Sequence, residues 1–194
     1  ISVSNLYFQI LPPIFAILIG ILCYYFVFTW TDSGKNAWWA TFFIYFGGSL
    51  GWVVTLLRGE GLGGESMFWS QQSVSTLINP PFALSLVFTL LGLILIVRMQ
   101  EKFSIYHLAL AIFLFGLLVQ IKAYAAVLAI GSLASVWVWQ RNSKAFLVFL
   151  GSLLIAVVLF LPLNKNSSGL IVWQPFWFLE TMMSYTDRVG WTKF

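Results

Sequence analysis

The side chains best suited to chemistry gather in three short stretches that lie between long apolar runs. The first, Arg58 to Asn79, carries two carboxylates, Glu60 and Glu65, and then a row of neutral polar groups, Ser70, Gln71, Gln72, Ser73, Ser75 and Thr76. A carboxylate in such a loop can act as a general base or as a metal ligand. Hydroxyl and amide groups in a row suit a hydroxyl-rich ligand such as a sugar, because they donate and accept without strong charge. The second stretch, Gln120-Ile121-Lys122-Ala123-Tyr124, holds Lys122, the only charge between Phe103 and Arg141. A lysine at a membrane surface either neutralises a lipid phosphate as a flexible point charge or snorkels to water. The third, Trp173 to Glu180, is dense in aromatic rings and includes Trp177. Such rings anchor a chain at headgroup level, and they can also stack on a sugar ring.

Each stretch also has a plainer reading. Gly59, Gly61, Gly63 and Gly64 make the start of the first loop a flexible, solvated strip, with no Gly-Lys-Ser/Thr sequence to make it a phosphate loop. The polar row can be the wet face of an ordinary interfacial helix over 67–78, with Met67, Val74 and Ile78 on its apolar face. No metal motif is present, and the single Cys23 and single His107 can build neither a thiolate cluster nor a histidine site.

The elements that must position these residues are apolar throughout. Six runs, Leu11–Trp30, Ala37–Leu57, Pro80–Val97, Ser104–Ile121, Ala123–Gln140 and Ala145–Leu163, carry no charge in their interiors. Each has about the length a helix needs to cross roughly 30 Å of hydrocarbon at 1.5 Å per residue. With 60% hydrophobic and 8% charged residues, against about 25% charged in a soluble domain, the chain has too little polar surface for a water-soluble globule. The expected fold class is all-α, a polytopic transmembrane helical bundle of about six spans with interfacial helices on its outer face. The whole of 1–194 forms a single transmembrane domain in this reading. Residues 104–140 are too long for one untilted helix, which leaves one long tilted helix or two short spans; the Gln, Lys and Tyr of the 120–124 turn suit an interface, so two short spans meeting there are the expectation. Gly47, Gly48 and Gly51 in the second run predict a close helix contact. At the third run, Asn79-Pro80-Pro81 reads as a helix start.

Orientation follows from the basic residues. Lys35, Arg98, Lys102, Arg141 and Lys144 fall on one side of the bundle, against Arg58, Lys122 and Lys165 on the other, which makes the first side cytoplasmic. Because these cations are dispersed between spans, the net charge of +4 does not argue for nucleic acid. The chain starts without an initiator Met or a signal peptide, and its first span runs from outside to inside, so an internal fragment of a longer multi-pass protein is expected.

The run Gly64-Glu65-Ser66-Met67-Phe68-Trp69-Ser70-Gln71-Gln72-Ser73, the following Ser75 to Leu84, the Lys122/Tyr124 turn and Pro175-Phe176-Trp177-Phe178 together resemble the middle of bacterial membrane proteins related to the GT-C glycosyltransferases. The resemblance covers most of the chain, and its motifs are loose. It implies transfer of a sugar from a polyprenyl-phosphate carrier to an acceptor on the outer face of the bacterial plasma membrane. In such enzymes the catalytic acid lies in the first outer loop, and no residue here matches that position. Under this reading Lys122 contacts the lipid phosphate, Gln71, Gln72 and Ser73 contact sugar or acceptor, and Tyr124 and Trp177 belong to the same substrate surface. Glu65 is the candidate for a metal or acceptor role, with a divalent cation the candidate cofactor. The partners would be a polyprenyl-phosphate-linked sugar and membrane lipid. The competing classes are a transporter or flippase of lipid-linked sugars, for which the charge-free span interiors are unfavourable, and a non-catalytic membrane scaffold.

Overall fold

The computed structural model describes residues 2, 5–47, 57, 59 and 76–165. Among these the chain is all-α. A π-helical turn, Leu6–Ile10, leads into six α-helices: α1 (Leu11–Thr31), α2 (Gly34–Phe46), α3 (Pro80–Glu101), α4 (Ile105–Ile121), α5 (Ala123–Gln140) and α6 (Ser143–Lys165). The chain divides into two compact units, Ile1–Phe160 and Leu161–Phe194, and the packing described below is that of the first.

Among the described residues, four helical segments are long and apolar enough to cross a membrane: Leu6–Thr31, Pro80–Glu101, Ala123–Gln140 and Ser143–Leu161. At 17 residues, α4 reaches about 25 Å, the short end of what a span needs. The second expected span departs from the prediction. Instead of one helix over Ala37–Leu57, α2 has 13 residues and stops at Phe46, with Gly47 in an extended conformation (φ −66°, ψ 132°). A glycine pair is a weak point for a helix, since it loses the most backbone freedom on ordering. The 13 residues cover only about 20 Å.

Local chemistry sets the helix starts. Asn79 accepts a hydrogen bond from Phe82 N (3.3 Å) just ahead of Pro80 and Pro81 in the first turn of α3. Asn142 accepts from Lys144 N (3.0 Å) and Ala145 N (3.2 Å) at the start of α6. Both place a short polar side chain where the first helical N–H groups lack partners. Lys122 serves two helices at once. Its N–H donates to Leu118 O (2.8 Å), closing α4, and its carbonyl accepts from Ala125 N (3.0 Å) and Ala126 N (3.2 Å), opening α5. One extended residue (φ −153°, ψ 105°) therefore separates two helices, as expected for 104–140.

Contacts between helices give the topology. Tyr45 in α2 donates its hydroxyl proton to Ala16 O of α1 and lies over Gly20, while the start of α2 at Gly34 lies near Tyr24, so these two helices are antiparallel. α1 and α3 run parallel: Ile19 packs with Ala83 and Val87, and Tyr25 meets Arg98 further along. α4 and α6 are also parallel. Ile112 covers Gly151, Ile155 covers Gly116, and Gln120 Nε2 donates to Leu159 O at 2.9 Å. The main core joins α3 to α6 through Met99, Leu108, Phe115, Leu118, Ile130 and Val148. Close approach here depends on Gly92, Gly116 and Gly151, at which an added Cβ would lie 2.5–2.6 Å from a neighbouring side-chain carbon. The small-residue cluster expected at Gly47, Gly48 and Gly51 lies largely outside the described residues.

This serial up-and-down path gives the bundle two unlike ends. Lys35, Arg98, Lys102, Arg141 and Lys144 all fall at the end where α1, α3 and α5 finish and α2, α4 and α6 begin. Lys122 and Tyr124 lie at the other. The outward faces are apolar, as on α2, where Trp38 stacks on Phe42 (6.0 Å between ring centroids) and Trp39 on Phe43 (6.0 Å), all four rings exposed. Such faces suit lipid contact.

Candidate functional site

Between α3 and α5 runs a groove of about 730 Å³, floored by Phe115 of α4. The groove follows α3 from Phe82 to Glu101, about 29 Å of helix at 1.5 Å per residue, close to the roughly 30 Å of a hydrocarbon core. Its α5 wall is a stripe of small residues: Ala125, Ala129 and Ser132 recur at helical spacing and leave room where larger side chains would fill it. Leu86, Leu93, Ile96 and Leu128 make the middle apolar.

The hydroxyls in the groove are already committed. Ser85 donates to Phe82 O (2.7 Å), Thr89 to Ser85 O (2.8 Å) and Ser132 to Leu128 O (2.7 Å). Each bond returns to the residue's own helix, so these side chains offer the groove only acceptor lone pairs and leave it suited to a hydrocarbon chain. The two mouths differ. At one lie Tyr124 and Ala125; at the other lie Thr29, Trp30, Gln100, Glu101, Gln140 and Asn142.

Of the side chains singled out in the sequence, the structure brings Lys122 and Tyr124 together at the first mouth. The Lys122 ammonium stands 5.4 Å from the centre of the Tyr124 ring, within the range of a cation–π contact. Lys122 is half-buried and Tyr124 exposed. Beyond that ring, the ammonium has no hydrogen bond or ion pair among the described residues. Lys122 does not itself line the groove; its ammonium is held, with donors to spare, against Tyr124, which does. Glu65, Gln71, Gln72, Ser73 and Trp177 lie outside the described residues, as do Glu60 and most of the surface helix expected at 67–78.

No group of three or more His, Cys, Asp and Glu side chains placed to hold a metal occurs among the described residues. The two described carboxylates, Asp32 and Glu101, sit at the basic end, away from Lys122. Basic side chains there are partly engaged: Arg98 donates to the Tyr25 hydroxyl and lies 5.4 Å over its ring, and the Lys144 ammonium donates to Met99 O (2.5 Å) and Gln100 O (3.4 Å). The latter contact satisfies carbonyls left without helical partners at the C-terminus of α3.

The sequence pattern alone does not reveal the groove. Its signals were present: hydroxyls four apart at Ser85 and Thr89, and the small residues Ala125, Ala129 and Ser132 on one face. In a helix that is apolar all round, neither pattern says whether a face meets a neighbour or a cavity. Comparison with known proteins adds nothing further: no family model matches the chain, and no curated protein or solved structure is significantly similar to it.

Proposed function

We propose that this chain is the lipid-binding part of a membrane glycosyltransferase that moves a sugar from a polyprenyl-phosphate carrier to an acceptor. The observation that supports this reading is a bilayer-deep apolar groove with a cation, Lys122, held against the ring of Tyr124 that lines its mouth. The isoprenoid chain lies along Leu86, Leu93 and Leu128, and the phosphate meets Lys122.

In the reaction the acceptor hydroxyl attacks the anomeric carbon, and the bond from that carbon to the carrier phosphate oxygen breaks. The phosphate keeps the electron pair and a carboxylate takes the hydroxyl proton. Lys122 stabilises the charge that grows on the departing phosphate. The carboxylate has to come from outside the described residues. The basic end faces the cytoplasm and the Lys122 mouth the outer side of a bacterial plasma membrane, following the distribution of Lys and Arg. Glu65, Gln71, Gln72, Ser73 and Trp177 belong to the sugar and acceptor side in this proposal.

The test is sugar transfer in membranes containing the complete protein. Lys122→Ala should lower the rate on the order of 10²-fold, as loss of one donor to a developing anion does, and Lys122→Arg should restore part of it. Unchanged transfer by Lys122→Ala would remove Lys122 from the reaction. One feature favours a second reading: the groove runs from one end of the bundle to the other, as a pathway for a lipid-linked sugar between leaflets would. Movement of such a lipid across vesicles without transfer would establish the flippase instead.

A further inference from the structure

The second mouth of the groove has a different chemistry, which neither transfer at Lys122 nor an outer site requires. Gln100, Glu101, Gln140 and Asn142 line it, and cations flank these residues in sequence and in space. Arg141 lies between Gln140 and Asn142, Lys102 follows Glu101, and the Lys144 ammonium is 3.4 Å from Gln100 O. Arg141 and Lys102 are exposed, and their side chains have no hydrogen bond or ion pair among the described residues. The geometry points to a binding site for an acidic glycerophospholipid of the leaflet at the basic end, one of its chains lying in the groove.

Charge complementarity selects this occupant. Five cations, Lys35, Arg98, Lys102, Arg141 and Lys144, lie at this end against two described carboxylates, Asp32 and Glu101, so a headgroup with net negative charge gains over a zwitterionic one. Glu101 and the glutamine amide oxygens are acceptors, and a phosphoglycerol headgroup supplies the matching hydroxyl donors as well as the anion. The apolar middle of the groove provides the second half of the recognition. A headgroup attracted only by surface charge would have no use for it, whereas an acyl chain from this leaflet enters it directly at Trp30 and Val97. Because the groove is about as deep as the hydrocarbon core, a chain from each leaflet can enter from its own mouth.

The experiment is titration of phosphatidylglycerol and phosphatidylcholine into the delipidated full chain in detergent, with bound lipid counted by native mass spectrometry. One phosphatidylglycerol should bind per chain, well ahead of phosphatidylcholine. Arg141→Gln with Lys102→Gln should weaken it about 25-fold, as roughly fivefold per charge. Swapping the charges, Arg141→Lys with Lys102→Arg, should keep most of the binding. Ser132→Trp, which fills the groove from the exposed side of α5 without touching a charge, should weaken binding as well. Equal affinity for the two lipids overturns the proposal, and so does phosphatidylglycerol binding that Ser132→Trp leaves unchanged, which marks a headgroup held at the surface alone.

Discussion

Replacing Gly92 by alanine isolates the close packing on which the groove is built. A Cβ at this position would lie 2.5 and 2.6 Å from two carbons of the Phe115 ring, and Phe115 is 1% exposed, with its ring forming the groove floor. The ring must shift to admit the new methyl, and any movement disturbs the floor of the groove that it lines. Overpacking of this kind costs about 1–3 kcal/mol. Alanine also gains about 0.8–1.0 kcal/mol over glycine in a helix interior, so the net effect is a loss of roughly 0–2 kcal/mol.

Gly131 in α5 supplies the reference, because a Cβ there meets nothing within 4 Å. Gly131→Ala should gain the propensity term alone and stabilise by about 0.8–1.0 kcal/mol. Subtracting one variant from the other cancels that term and leaves the packing cost of about 1–3 kcal/mol. Reversible unfolding in mixed micelles, followed by helical circular dichroism, measures both variants. A third, Gly92→Ala with Phe115→Leu, should be less destabilised than the sum of its parts, since the smaller side chain clears the new methyl. If Gly92→Ala proves as stable as Gly131→Ala, α3 and α4 are not in the close contact described here, and the floor of the groove goes with it.

Three further substitutions test the helix junctions at the basic end. Asn142→Ala removes the side chain that caps α6 and should cost about 1 kcal/mol, whereas Ser104→Ala, at an α4 start where the hydroxyl makes no capping bond, should cost well under half of that on the order of a few tenths; equal losses in the same unfolding assay would count against the Asn142 cap. Arg141 closes α5 with φ at 52°, a left-handed conformation that costs a side-chain-bearing residue about 1–2 kcal/mol. Arg141→Gly should therefore stabilise the chain by about 0.5–1 kcal/mol after the extra freedom of glycine in the unfolded state is set against it, and a loss of stability would show the arginine side chain to be holding the junction.

Hydrophobicity and length made the helices legible in the sequence, and charge made their ends legible. The start of α3 at Asn79-Pro80-Pro81 and the break at Lys122 were both readable, for different reasons. The first is local capping chemistry. The second follows from the need to bring Gln, Lys and Tyr out of hydrocarbon. The failure at Gly47 has the same root as these successes: apolarity alone carried the expected span through a glycine pair at which the helix stops. Of the candidate site, Lys122 and Tyr124 were readable because a lone charge in 37 residues cannot stay in the bilayer core unpaired, and their neighbour in space, the groove, was not.

The reason lies in what a membrane does to the helical pattern. In water, the buried face of a helix is the apolar one, so a 3.6-residue period names its partner side. Here α3 exposes its outer side to lipid and its inner side to protein, and both are apolar, so the period carries no sign. Glycine restores part of the information, because helices in lipid approach closely where side chains are small. Gly92, Gly116 and Gly151 do mark contact faces, each lying under a large side chain of a neighbouring helix. Gly131 does not, although nothing in its sequence surroundings sets it apart, and the Ala125, Ala129 and Ser132 stripe beside it lines the groove, with Ala129 also reaching the core. Small residues on a membrane helix thus state that something comes close, and whether that is another helix or a lipid chain depends on what the neighbouring helices leave unfilled.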